Sequence, residues 1–359
     1  MKASATPIRR EGHIVITGGA GFLGTNIASA LAERGDDVLV FDNLSRGHVR
    51  ENVSWLQQRY SRRVSMRVAD VRDSEAVNDA VRGARAIIHL AAQVAVTTSV
   101  DDPVNDFEVN ARGTLNILEG VRHGAPDATV LFASTNKVYG KLLPIEALAR
   151  EGLRYVPREA EFSAGFGENT PLSLYSPYGC SKGSADQYVL DYARIYGLKT
   201  AVFRMSCLYG PHQFGNEDQG WVAHFLISAL RGQPISIYGD GYQVRDVLEV
   251  NDAARAYMLA LDEIDAISGA VFNLGGGPGN TLSLRELLQA IEEMEGRPPE
   301  VSFHDWRPGD QPWYVSNTQA FTRATGWKAQ VNVDAGLRRL REWLIESSVV
   351  QQGRREAVA

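Results

Sequence analysis

Tyr178 and Lys182 stand one helical turn apart in the run Ser176-Pro177-Tyr178-Gly179-Cys180-Ser181-Lys182. On a helix that spacing puts the phenol and the ammonium on one face. The chemistry open to such a pair is proton abstraction. A phenol titrates near about 10 by itself, and an adjacent positive charge favours the phenolate. The flanking residues predict the helix that this geometry requires. Ser176 suits an N-cap and Pro177 a first helical position. Tyr188, Val189, Tyr192, Ile195 and Tyr196 continue an apolar pattern, and Gly197 can end it.

Upstream lies Thr17-Gly18-Gly19-Ala20-Gly21-Phe22-Leu23-Gly24, preceded by the apolar run Ile14-Val15-Ile16 and followed by a helical pattern through Ala30-Leu31. Gly18, Gly21 and Gly24 have a spacing that permits a tight turn and lets backbone N–H groups approach a pyrophosphate at a helix N-terminus. A second strand, Val38-Leu39-Val40-Phe41, ends in Asp42. A carboxylate about twenty residues beyond the glycines matches the group that holds the adenosine ribose of a dinucleotide. It would repel the extra phosphate of NADP, which favours NAD; Arg46, close by, is a group that could accommodate that phosphate. An oxidised nicotinamide would add its positive charge to that of Lys182, making Tyr178 a base for a hydroxyl proton near neutral pH.

Composition fits a folded enzyme subunit. The 359 residues can bury a substantial core in one large or two closely joined domains. Hydrophobic residues make up 44% and charged residues 22%, ordinary for a globular protein. A net charge of −6 argues against wholesale nucleic-acid binding. No apolar run is long enough to span a bilayer, and Met1 to Arg10 lack the apolar core of a signal peptide. Cys180 and Cys207 are the only cysteines, too few for a disulfide framework, so the cytoplasm is expected. The seven histidines form no metal-ligand pattern, so no metal is expected.

Strands and helices alternate through the first half in the manner of a Rossmann-type, doubly wound parallel sheet, with a smaller α/β C-terminal substrate lobe after it. The expected boundaries are a flexible tail over 1–12, an NAD-binding domain over 13–203 and a substrate-binding lobe mainly over 204–345. Part of 245–275 is expected to return to the first domain, and 346–359 to form a polar tail. Asp70 and Val71 close a third strand, where an adenine ring could be contacted. The strand Ala86-Ile87-Ile88-His89 runs into Leu90, Ala91 and Ala92, whose small members would let a cofactor approach the backbone. Asn110 falls in a helix expected from about Val104 to Arg122. Carboxyl ends of these strands should line one crevice.

The strand Thr129-Val130-Leu131-Phe132-Ala133 ends in Ser134-Thr135-Asn136-Lys137-Val138-Tyr139-Gly140. Here the sequence resembles the extended short-chain dehydrogenase/reductase family, the nucleotide-sugar epimerases and dehydratases, over roughly residues 13 to 345. The resemblance implies Thr135 as the hydroxyl of a catalytic triad, Tyr178 as its base, and Lys182 as the group that lowers the Tyr178 pKa and holds the nicotinamide ribose. Ser134 is the neighbouring candidate for the hydroxyl. Cofactor contacts are implied at Gly18, Gly21, Phe22, Leu23, Gly24, Asp42, Asn43, Asp70, Val71, Leu90, Ala91, Ala92 and Asn110, beside Tyr178 and Lys182.

Asn136 and Lys137 bear on the reaction. Dehydratases of the family carry Asp-Glu after the hydroxyl, because elimination of water needs an acid and a base, and its decarboxylases usually carry a glutamate at the Lys137 position. Neither carboxylate is present, which leaves epimerisation or ketoreduction. The phrases Gln93-Val94-Ala95-Val96-Thr97-Thr98-Ser99, Ser134 to Gly140, 176–193, Asp218-Gln219-Gly220-Trp221-Val222 and Gln243-Val244-Arg245-Asp246-Val247-Leu248 resemble the CDP-paratose 2-epimerases in particular. Met205-Ser206-Cys207-Leu208 and Gly210-Pro211-His212-Gln213 depart from that subfamily's wording.

The resemblance thus implies a CDP-sugar substrate, tightly held NAD and inversion at C2. A UDP-sugar 4-epimerase and a nucleotide-4-ketosugar reductase are the alternatives, and a non-catalytic NAD-binding regulator a remote one. Arg245 and Arg307 are the candidates for the diphosphate, with surface ion pairs as the competing role. Gln219 and Trp221 are weaker substrate candidates. Gln93, Thr97 and Ser99 follow a strand end and could touch sugar hydroxyls or merely close the loop. Thr135, Asn136, Lys137 and Cys207 complete the expected substrate set; neither cysteine reads as a nucleophile. A homodimer or tetramer, built on helices near 104–122 and 177–196, is expected from the family.

Overall fold

The computed structural model describes residues 11–307 and 309–347. Of the expected tails, 1–10 and 348–359 lie outside the described residues. Seven strands make the central sheet: β1 (His13–Thr17), β2 (Val38–Asp42), β3 (Val64–Val68), β4 (Ala84–His89), β5 (Thr129–Thr135), β6 (Lys199–Met205) and β7 (Ala270–Leu274). All are parallel, in the order β7-β6-β5-β4-β1-β2-β3. This is the Rossmann order, extended at one edge by a strand from late in the chain.

The strands read as continuous apolar runs because helices cover both faces. Side chains alternate between those faces. Ile14, Ile16, Val38, Val40, Ile88 and Phe203 pack with helices Phe22–Arg34 and Val250–Asp262. Val15, Phe41, Ile87, Val130, Phe132 and Val202 pack with helices Ser74–Val81, Gly113–Gly124 and Ser176–Tyr196.

The smaller lobe has its own core, in which Phe225, Leu226, Ile235, Ile237, Leu287, Ile291 and Leu340 are buried. It is built on strand Val244–Glu249, which pairs with Cys207–Tyr209, Thr281–Ser283 and Trp313–Tyr314. Helices Trp221–Arg231, Leu284–Glu295 and Val333–Glu346 pack on it. A hairpin, Leu148–Glu151 with Arg154–Pro157, joins the lobe where the Tyr155 amide donates to the Tyr242 carbonyl at 2.9 Å.

One expected helix is divided. In place of a single helix from Val104 to Arg122 the chain forms Pro103–Phe107, a π-helical turn at Glu108–Arg112, and Gly113–Gly124. Such wide turns re-aim single side chains, and this one turns Asn110 into the protein. The structure also moves the start of helix Ser176–Tyr196 by one residue. Tyr175 occupies the cap position, while Ser176 lies at φ +73 and its Oγ still accepts the Gly179 amide at 3.2 Å. Gly197 ends that helix in the left-handed conformation.

Candidate active site

A cleft of about 800 Å³ opens between the lobes at the carboxyl ends of the strands. Its first wall is the turn after β1. Gly18 has φ +67, and a Cβ there would meet the Ala91 amide nitrogen at 2.8 Å. A Cβ on Gly24 would meet Gly19 Cα at 2.5 Å and Gly18 O at 2.6 Å. Only glycine lets the turn press this closely on the β4 end, and the Thr17 hydroxyl ties the two together by accepting the Ala91 amide at 3.2 Å. Gly21 caps helix Phe22–Arg34 with no side-chain cap bond, so the first-turn amides face the cleft uncapped.

At the end of β2 the Asp42 carboxylate accepts the amides of Ala20 (3.1 Å) and Leu44 (2.8 Å), which fix its direction. Burial pushes its pKa up, against those amides and Arg46. Asn43 donates to Asp70 at 2.8 Å. Arg72 grips Asp70 with two bonds, at 2.9 and 2.8 Å, and holds that carboxyl down at about 2. Phe22, Leu23, Val71, Leu90, Ala91 and Ala92 line the same wall. The glycine cradle, the uncapped helix start and the Asp42 carboxylate together fit a dinucleotide.

Thr135 is the last residue of β5, and its Oγ1 accepts the Lys137 amide at 3.2 Å. Thr135 and Tyr178 both line the cleft, and the Thr135 side chain acts to lower the Tyr178 pKa. Ser134, on the other face of the strand, meets the same helix two turns further along and donates to Asp186 at 2.8 Å in the protein interior. Of the two hydroxyls weighed from the sequence, Thr135 is the one placed against Tyr178. Lys182, 3% exposed, lies 4.1 Å from the centroid of the Phe132 ring.

Burial dominates both titrations. It pushes Tyr178 up to about 12, against Thr135 and Arg46 and together with Asp106. It pushes Lys182 down to about 7, against Asp186 and Asp106. In the chain alone burial thus outweighs the groups that lower the Tyr178 pKa; the expectation from sequence is that Lys182 acts on it together with an oxidised nicotinamide. A phenol this deep in protein is held toward its neutral form, which added positive charge would oppose.

Lys137, Cys207, Gln219, Trp221, Arg245 and Arg307 line the same cleft. Lys137 donates to the Gly309 carbonyl at 3.0 Å; burial and Arg245 push it down to about 8, against Asp310 and Cys207. Asn136 reaches Gln311 at 3.4 Å. Trp221 Nε1 lies 3.5 Å from Cys207 Sγ, and burial raises that thiol. Arg307 lies 3.6 Å over the Tyr238 ring and donates to the Glu217 carbonyl at 3.0 Å and its carboxylate at 3.1 Å. Arg46 donates to Gln219 at 2.5 Å across the mouth.

Other expected contacts are spent elsewhere. Ser99 is 0% exposed; its hydroxyl donates to Val96 O at 2.7 Å and accepts the Tyr178 amide at 3.2 Å, so it holds the helix start and cannot meet a sugar. Asn110 is 1% exposed and lies beneath the cleft, because the π-turn aims its amide at Gln93, Asp106 and Ser181 (2.9–3.1 Å). Gln93 folds back on Ala95, and Thr97 donates to Asp218 at 2.9 Å, although both line the cleft. Sequence reasoning missed Arg72, whose position two residues after Asp70 was the available signal. It also missed Asp106 and Phe132, which carry no local signal. Among the described residues no group of three or more His, Cys, Asp or Glu is placed to hold a metal, and no helix is long and apolar enough to cross a membrane.

Known proteins resemble this chain in sequence and fold. Residues 14–275 match the model of the NAD dependent epimerase/dehydratase family. The chain is 40% identical to CDP-paratose 2-epimerase of Salmonella typhi, over 92% of this chain and 98% of that protein. It is 32% identical to a putative UDP-glucose 4-epimerase of Methanocaldococcus jannaschii, over 92% and 98%. Among solved structures, the UDP-glucose 4-epimerase of Thermus thermophilus in complex with NAD superposes with a TM-score of 0.78 at 35% identity, covering 93% of this chain and 99% of that one.

Proposed function

The chain belongs to the NAD-dependent epimerase/dehydratase family and is an epimerase-type enzyme that uses NAD, and from that premise we propose that it inverts C2 of a CDP-sugar, in the manner of CDP-paratose to CDP-tyvelose. The observation that carries this reading is the placement of Asn136 and Lys137 in the cleft beside Thr135 and Tyr178, an amide and an ammonium where elimination would need an acid and a base. The similarity to a CDP-paratose 2-epimerase supports C2 and the cytidine nucleotide.

In this reading Tyr178, as phenolate, takes the proton of the sugar hydroxyl while Thr135 orients both oxygens. Lys182 supplies positive charge behind the phenol. Bound NAD supplies the hydride acceptor and, later, the hydride donor. Arg245 and Arg307 hold the diphosphate, and the sugar turns about that anchor so that its planar carbon presents the opposite face. Glu217 and Asp218 must release Arg307 for this to happen. Lys137 and Trp221 contact the sugar, and Asp42 the adenosine ribose. A cofactor that takes and returns the hydride within one turnover would have to stay bound, so the site is expected to hold NAD tightly.

A second reading, UDP-sugar 4-epimerisation, is favoured by the relatives named for that activity. The reading assigns the protein to the cytoplasm, consistent with two free cysteines. It also assigns a homo-oligomer, since Val104, Phe107, Tyr188 and Ile195 leave apolar side chains 46–71% exposed on neighbouring helices. The test is NMR of the purified protein in heavy water, without added cofactor, against CDP-paratose, CDP-glucose and UDP-glucose. Inversion at C2 of a CDP-sugar without deuterium uptake is expected. Inversion only at C4, or no reaction until NADH is added, would move the assignment to a 4-epimerase or a ketoreductase.

A further inference from the structure

β5 packs the uncharged Phe132 ring on Lys182, and the other elements around Lys182 and Tyr178 carry charged or titratable groups. β4 contributes His89, kept neutral by burial, which pushes it down to about 3. The helix of Lys182 contributes Tyr178 and Asp186. β6 contributes Arg204, which takes Asp186 in two bonds of 2.9 Å. The loop after β2 contributes Arg46, which acts on Tyr178. Helix Pro103–Phe107 contributes Asp106.

The two carboxylates differ in what they are already committed to. Asp186 is matched by Arg204 and also accepts from Ser134 at 2.8 Å. Asp106 is 0% exposed and has no ion-pair partner among the described residues. It accepts the Ser181 hydroxyl at 2.5 Å and the Asn110 amide at 3.1 Å. Ser181 precedes Lys182 and also approaches the Tyr178 carbonyl at 3.2 Å, so the grip falls on the helical turn that carries both groups. Asn110 extends the network to the Gln93 backbone in the cofactor wall. Burial pushes the Asp106 pKa up, against the Ser181 bond and the Lys182 charge; a buried carboxylate without a cation is costly unless a nearby positive charge compensates it, and the cation acting on Asp106 is Lys182.

We infer that Asp106 is a positioning residue for the proposed base: fixed by Ser181 and Asn110, its carboxylate joins that of Asp186 in holding the Lys182 ammonium charged behind Tyr178, and it shifts the pH window in which the pair works. The inference rests on the roles given to Tyr178 and Lys182 under the proposed function. A negative charge near both groups favours the protonated form of each. Asp106 therefore raises the pKa of both, and its loss lowers both.

The test is the pH dependence of kcat/KM of the holoenzyme with Asp106→Asn, alongside NAD content and thermal midpoint. The expected result is a profile displaced toward lower pH by about half a unit or more, with Asp106→Glu, which keeps the charge, remaining at the wild-type position. A profile that superimposes on the wild type in Asp106→Asn, whatever the loss of rate, would reduce Asp106 to a packing role and overturn the inference. If Asp106→Asn does not yield folded holoenzyme, Asp106→Thr removes the charge with a smaller side chain and is read the same way. Tyr178→Phe, measured in parallel, separates the two levels. If that variant turns over normally, the base assignment itself fails. If it is inactive while the Asp106 profiles stay put, only the present inference fails.

Discussion

The Lys182 ammonium rests on the face of the Phe132 ring, 4.1 Å from its centroid. The pairing joins the helix that carries Tyr178 to the strand that ends in Thr135, and it encloses a charge almost completely. A cation–π contact contributes about 0.5–2 kcal/mol; here the desolvation outweighs it, which is why Lys182 is pushed down to about 7.

That depression predicts a slope in stability. In cofactor-stripped protein the unfolded chain keeps the Lys182 proton up to its ordinary pKa near about 10.4, while the folded chain releases it from about 7. Between those values the unfolded state binds more protons, so stability rises with pH, by up to about 1.4 kcal/mol per unit. Urea denaturation at several pH values should show this excess slope in the wild type and not in Lys182→Met. Equal slopes would mean that the ammonium is solvated.

Tyr178→Phe should fold, keep NAD and lose turnover by about a thousandfold or more, about 4 kcal/mol of barrier. The two neighbouring hydroxyls should separate by phenotype. Thr135→Val should lower kcat by about 10–100-fold with little change in melting temperature. Ser134→Ala should cost about 1–3 kcal/mol in stability, because Asp186 loses a buried donor. The reverse pattern would make Ser134 the triad hydroxyl.

Gly24→Ala should cost NAD before it costs the fold. The added methyl meets backbone atoms of Gly18 and Gly19, which cannot rotate aside, and such overpacking costs about 1–3 kcal/mol. Cofactor released from the denatured protein, quantified per chain, should fall well below that of the wild type. Full occupancy would show that the turn has room to spread.

Lys137→Met tests the substrate side. NAD content should be unchanged, while KM for the nucleotide sugar rises and kcat falls, together by about 10–100-fold. Unchanged kinetics would leave Lys137 with its Gly309 bond as its only task.

The oligomer is open to a surface test. Val104 is 71% and Ile195 61% exposed in the single chain. A Val104→Glu/Ile195→Glu protein should sediment as a monomer at micromolar concentration if these helices meet a second copy. A wild type that is itself monomeric would remove the oligomer from the proposal.

Much of this site can be read along the chain because its parts are local. The Gly18, Gly21 and Gly24 spacing, the acid at the end of β2 and the single turn from Tyr178 to Lys182 follow from the geometry of strand, turn and helix, which a few consecutive residues dictate. Partners distant in sequence are another matter. Alternation along β5 says that Ser134 and Thr135 face opposite sides, but only the packed helix says that Thr135 faces Tyr178. Ser99 and Asn110 resemble ligand contacts until the structure buries them, one under the start of helix Ser176–Tyr196 and the other by way of a π-turn. Phe132 gains its meaning from lying against Lys182, and Asp106 from its charge acting on Lys182, neither of which any spacing announces. The sequence by itself determined which groups can do the chemistry, because residue type and short-range geometry are local properties. Tertiary structure decided how those groups are charged and which neighbours are free to touch a substrate, because burial and long-range contacts set desolvation and hydrogen bonding.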